Sequence, residues 1–156
     1  MNVKFYKNCF YFFIPIILFD LIFTNYLPEQ YLQTNSFTIT LIENMLRILL
    51  IMLSIVMTVN LKDIKGKTGI GIYIIGLLLY FVSFFILINY ADTRLGRNIV
   101  VQLSGYWTSI IWLFGIGLVG NKLFFKIPYH YTIYLTLSML FGIIHTYHGY
   151  ILLIKR

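Results

Sequence analysis

The chain has 156 residues, of which 60% are hydrophobic and only 11% charged, and its formal net charge is +7. Soluble domains carry about 25% charged residues, so a soluble globular protein is excluded, and the length leaves no room for a globular domain beside a bundle. Apart from Arg47, the lysines and arginines stand at the ends of apolar segments, where topology and anionic headgroups account for them; the implied partners are membrane lipids, with no nucleic acid.

Lys4 and Lys7 precede a hydrophobic run at residues 9–27. The run is long and lacks a small-x-small cleavage site, so it reads as an uncleaved first span. Pro15 is expected to bend it or free a carbonyl. Asp20 falls about 10 Å deep. Its short side chain snorkels poorly, so burial is expected. The single cysteine, Cys9, excludes an internal disulfide and a cysteine-only metal cage.

A short polar loop at 28–36 leads to the second span, residues 37–61. This segment carries Glu43 and Arg47 inside what should be hydrocarbon, about 9 Å and 15 Å from its start. An ionised group there costs at least about 2.5–3.5 kcal/mol, so both should face the bundle interior, paired or hydrated. Their i,i+4 spacing lets them meet on one helix face. Thr40, Ser54 and Thr58 continue that polar stripe.

The loop at 60–68 holds three lysines (Lys62, Lys65, Lys67) and one aspartate. The third span, 70–89, places Gly69, Tyr73, Gly76, Tyr80 and Ser83 at helical spacing; small residues of this kind let helices approach, so the face is expected to pack. Residues 89–102 are less apolar and contain Asp92, Arg94 and Arg97. The fourth span has a strong core only at 107–119, and reaching spanning length requires extension back to Ile99. Gly105, Gly115, Gly117 and Gly120 weaken it as a helix, so a re-entrant or broken helix is the alternative. The Gly115–Gly117 pattern is no nucleotide fingerprint, because the strand that motif requires is missing. After a loop at 121–128, the fifth span runs over 129–154, with Ser138, Gly142, His145 and Gly149 on one face and His148 beside it. Tyrosines cluster near its two ends, as interfacial belts do.

The fold class is therefore all-α integral membrane: a single domain over residues 1–156, a compact bundle of five transmembrane helices, or four plus one re-entrant or broken segment. Lys4, Lys7, Lys62, Lys65, Lys67, Lys122 and Lys126 then share one side, against Arg94, Arg97, Lys155 and Arg156 on the other. The positive-inside rule puts the N-terminus in the cytoplasm and the C-terminus outside a cell membrane.

With five spans, the buried ionisable residues of three helices converge at one depth. Asp20, Glu43, Arg47, His145 and His148 are the candidate ligand- or ion-binding residues, in the outer half of the bilayer, with Asp92, Arg94 and Arg97 as candidates for the pocket mouth. A metal could use the two histidines at i,i+3 with a carboxylate, but no HExxH-type motif appears and no metal or other cofactor is assigned. Carboxylate and imidazole could relay protons, and a headgroup phosphate could dock on the guanidinium groups. Haem and a Cys–His nucleophile do not fit the placement of the histidines and Cys9. No complete catalytic motif is present. The expected function is a non-enzymatic binding or accessory subunit with a charged pocket, working as a homo-oligomer or with a partner membrane protein. A small oligomeric transporter or proton-coupled carrier is the first alternative. A membrane-embedded enzyme acting on a lipid or lipid-linked substrate is the second.

Overall fold

The computed structural model describes residues 7–27, 37–125 and 127–154. Lys4, the loop at 28–36, Lys126, Lys155 and Arg156, on which part of the topology expectation rests, lie outside the described residues. The architecture is an all-α bundle. Its helices are α1 (Ile14–Phe23), α2 (Phe37–Val56), α3 (Ile64–Asn89), α4 (Ile99–Gln102), α5 (Ser104–Val119) and α6 (Thr132–Ile154). Among the described residues, four stretches are long and apolar enough to cross a membrane: Cys9–Tyr26, Phe37–Val56, Ile64–Asn89 and Thr132–Ile154.

The first stretch departs from expectation at its proline. A 3-10 turn over Cys9–Phe12 comes first, and Pro15 sits in the opening turn of α1, not in the middle of a bent helix. The reason is that the first turn of a helix has no intrahelical acceptor for its N–H groups, so proline loses nothing there.

The second span is shorter and the third longer than hydropathy indicates. α2 stops at Val56 because Met57–Thr58 (β1) turns into extended backbone and pairs antiparallel with Lys122–Leu123 (β2). Asn8 adds a bridge to Thr58, and the Val59 N–H donates to the Lys7 carbonyl at 2.8 Å. α3 starts at Ile64, so Lys65 and Lys67 belong to its first turns instead of a loop. Asp63 Oδ2 accepts from Asn60 Nδ2 at 2.7 Å and from Asn121 Nδ2 at 3.0 Å. These contacts clasp the start of the first stretch, the α2–α3 turn and the α5–β2 turn together at one end of the bundle. Lys7, Lys62, Lys65, Lys67 and Lys122 gather at this end.

The segment expected as the fourth span is interrupted. It is divided at Leu103 into the four-residue α4 and the 16-residue α5, short of the roughly 20 residues a membrane crossing needs. Ser104 donates to the Val101 carbonyl across the break at 2.5 Å, a bond that competes with the regular helical ladder. Among the described residues the structure therefore has four stretches of spanning length and one shorter, broken segment. That segment is also the most enclosed: Thr108, Leu113, Ile116 and Val119 are all buried to about 99% or more.

α3 and α5 pack backbone to backbone. Gly69 abuts the Gly115 carbonyl, Gly76 abuts the Trp112 backbone, and Gly115 abuts the Tyr73 backbone, so a methyl at any of the three would strike main-chain atoms. The small-and-aromatic face read on α3, Gly69, Tyr73, Gly76, Tyr80 and Ser83, is all buried: its glycines meet α5, and the Tyr73 and Tyr80 hydroxyls reach Phe12 and Asp20 of the first stretch. α6 closes on α5 from another side, and Gly142 and Gly149 receive Ile110 and Tyr106. α1 is joined to α3 by Phe19, which stacks on Phe81 at 4.1 Å and meets Phe84 edge-on at 5.3 Å.

Candidate functional site

Glu43 is the centre of the site. It lies one and a half turns into α2 and is 5% exposed. Each of its oxygens is engaged: Oε1 accepts from Arg47 at 2.5 Å, and Oε2 lies 2.7 Å from His148 Nδ1. An ionised carboxylate only accepts, so His148 donates through Nδ1. Its Nε2 is buried with no hydrogen-bond partner. His145 Nδ1 stands 3.1 Å from Oε1, within ion-pair range, but not aligned for a hydrogen bond. His145 itself is held between Tyr106, with ring centroids 4.7 Å apart, and Phe141, at 5.1 Å. The i,i+3 spacing of the two histidines on α6 is what presents both to one carboxylate of α2.

Arg47 pairs with Glu43, and its side chain is 47% exposed. The long stem lets the guanidinium reach back to Glu43 while its remaining donors stay in open space, which avoids part of the desolvation cost. Its Cζ lies 5.9 Å from the Phe141 ring centroid. The polar stripe of α2 is likewise mixed: Ser54 is buried and bonds the Ile51 carbonyl at 2.7 Å, Thr40 is half-buried, and Thr58 has left the helix for β1.

Asp20 of α1 reaches the same region. Its Oδ1 accepts the Tyr80 hydroxyl at 2.7 Å. α1 and α2 flank a cleft with two chambers that share Asp20, Arg47, Tyr80 and His145. The chamber away from the clasp has a volume of about 480 Å³ and adds Glu43, Asn44 and His148 to its lining. The other, about 210 Å³, is mostly apolar, with Phe13, Leu50, Ile51 and Trp112 in its wall. Trp112 Nε1 is buried with no hydrogen-bond partner.

The structure thus brings Asp20, Glu43, Arg47, His145 and His148 to one cleft. It does not bring the mouth candidates there. Asp92, Arg94 and Arg97 are exposed in the turns between α3 and α4, and neither chamber is lined by them. That connection is organised locally, by Thr93 accepting from the Gly96 N–H at 3.2 Å and Asn98 from the Val100 N–H at 2.9 Å. Among the described residues, no group of three or more His, Cys, Asp or Glu could hold a metal ion. Glu43 and the two histidines are spent on one another.

Tyr80 and Trp112 are the site residues that sequence reasoning did not single out. Tyr80 was read as part of a packing face. A signal existed: a buried tyrosine hydroxyl usually takes a hydrogen-bond partner.

No family model, no curated protein and no solved structure matches this chain.

Proposed function

We propose that this protein is a non-enzymatic binding or accessory subunit of a cell membrane, whose ligand occupies the charged cleft between α1 and α2. One observation supports the reading. Ionisable side chains from three helices line an open cavity of about 480 Å³, when a purely structural cluster would close on itself and exclude that volume. On the positive-inside reading, the clasp faces the cytoplasm and the cleft opens in the outer half of the bilayer; α4 and α5 together bring the chain back to the clasp, where the Asn60 N–H donates to the Val119 carbonyl at 3.1 Å, so the N-terminus lies inside and the C-terminus outside. A second copy or a partner membrane protein fits the exposed faces of α2 and α6, and lipids cover the rest.

The contacts around Glu43 favour one second reading, a proton-coupled carrier. Two imidazoles on one buried carboxylate form a short line of groups of the kind that passes protons. Less supports an enzyme. The Ser138 hydroxyl donates to the Tyr134 carbonyl, and Cys9 is buried near the clasp, so neither is presented to an imidazole as a nucleophile.

Access to the cleft tests the binding reading. Asn44, exposed and lining the larger chamber, is replaced by cysteine in a Cys9→Ala background, and the protein in lipid nanodiscs is treated with small methanethiosulfonates. Asn44→Cys should react within minutes. If no reagent of any charge reaches it in folded protein, the cleft is closed and the binding reading fails. A carrier would in addition move protons in liposomes when a pH gradient and a ligand are imposed.

A further inference from the structure

The cleft contains two carboxylates, Asp20 and Glu43, and one guanidinium, Arg47. With neutral imidazoles it carries one excess negative charge. Glu43 is not its source, because Arg47, His145 and His148 already surround it. Asp20 is the residue left over: its hydrogen bond comes from Tyr80, a neutral donor. A carboxylate at this depth is balanced by a proton or by a cation.

The surroundings say which kind of cation fits. Beside Asp20 the smaller chamber is walled by Phe13 and Trp112, whose rings meet edge-on at 5.5 Å, together with Leu50 and Ile51; Arg47, which lines it too, is paired with Glu43. Aromatic faces attract cations, indole most strongly. An inorganic ion would need several oxygen ligands, and among the described residues no acid- or histidine-rich group could hold one. An organic ammonium or phosphonium needs one carboxylate and an apolar, aromatic wall. Both are present.

We propose that the cleft binds a lipophilic organic monocation, with its charge on Asp20 and its apolar body in the smaller chamber. This rests on the binding reading above and names its ligand class. The groups facing Asp20 are Tyr80 from α3, Glu43 and Arg47 from α2, Tyr106 from α5, and His145 and His148 from α6. The empty cleft is neutral when one proton sits on Asp20, and an arriving monocation displaces that proton. Binding therefore weakens as pH falls. An anionic headgroup on Arg47 and Trp112 Nε1 would instead raise the excess charge to minus two.

The test is equilibrium binding of phenyltrimethylammonium, a cation small enough for the smaller chamber, to the full chain in zwitterionic nanodiscs between pH 5 and 8.5. Saturable binding that tightens with pH is expected. Asp20→Asn should weaken it at least tenfold, while Asp20→Glu stays within threefold. Absence of saturable binding to the wild type, equal binding to Asp20→Asn, or saturable competition by sodium overturns the proposal. So does Arg47-dependent binding of dodecyl phosphate in its place. Should Asp20→Asn fail to fold, the Asn44→Cys protein supplies the answer: a cationic methanethiosulfonate should react at least tenfold faster than an anionic one, after correction for their intrinsic rates. Equal or reversed rates sink the monocation while leaving the open cleft intact. No reaction with either sinks both.

Discussion

The Tyr80 hydroxyl donates to Asp20 Oδ1 across 2.7 Å and thereby ties α3 to α1 at the depth where α1 and α2 flank the cleft. The bond fixes the acid of the cleft that, among the described residues, makes no ion pair within 4 Å, and it gives a buried phenol its partner.

Tyr80→Phe removes that bond and leaves the carboxylate without its donor. The folded state should lose about 1–2 kcal/mol, between the value of a hydrogen bond to a charged group and the smaller average seen between membrane helices. Thermal unfolding in detergent micelles measures it. A melting point unchanged from wild type would show that the pair contributes nothing.

Glu43 and His148 are both buried and in contact at 2.7 Å, so their substitutions should not add. In a cycle of Glu43→Gln, His148→Leu and the double variant, the coupling should be about 1–3 kcal/mol. The double variant should be less destabilised than the sum of the two single ones. Strict additivity would mean the imidazole and carboxylate do not interact in the folded protein.

Glycines of α3 offer an internal contrast. A methyl at Gly76 would strike the Trp112 backbone, whereas one at Gly71 would meet nothing within 4 Å. Gly76→Ala should therefore destabilise by about 1–3 kcal/mol through overpacking. Gly71→Ala should be neutral or stabilising by up to about 1 kcal/mol, through helix propensity alone. The comparison is read from paired unfolding curves; equal effects would refute the close α3–α5 approach.

Cys9 is fully buried at the clasp end. A maleimide should label it slowly in the folded protein and within minutes once sodium dodecyl sulfate has unfolded the chain. Fast labelling in native membranes would mean that the start of the first stretch is not seated as described.

What could be read without the fold was the part that sums along the chain. Transfer into hydrocarbon adds residue by residue, so the apolar stretches around 9–27, 37–61, 70–89 and 129–154 stood out by composition, to within a few residues at their ends. The errors at those ends share a cause. Hydropathy does not register that Met57 and Thr58 find a strand partner at Lys122–Leu123, nor that a polar turn with Lys65 and Lys67 can continue a helix out of the bilayer.

Helical periodicity is equally local. It put Glu43 and Arg47 on one face of α2, His145 beside His148, and the small residues of α3 in a row, all from the chain itself. Depth followed from counting residues, which is why Asp20, Glu43 and the histidines could be placed at one level before any contact was known.

Tertiary structure alone decided which of those residues touch, which open onto a cavity, and which stand apart. It joined Tyr80 to Asp20, left Arg47 half exposed, broke the segment before α5 and enclosed it, and kept Asp92, Arg94 and Arg97 away from the cleft. These outcomes depend on how far apart two helices lie and how each is rotated about its axis. Those quantities are set by side-chain packing between segments distant in sequence, such as Gly76 against Trp112 and Phe19 against Phe81. A pattern along one helix contains no term for its neighbour.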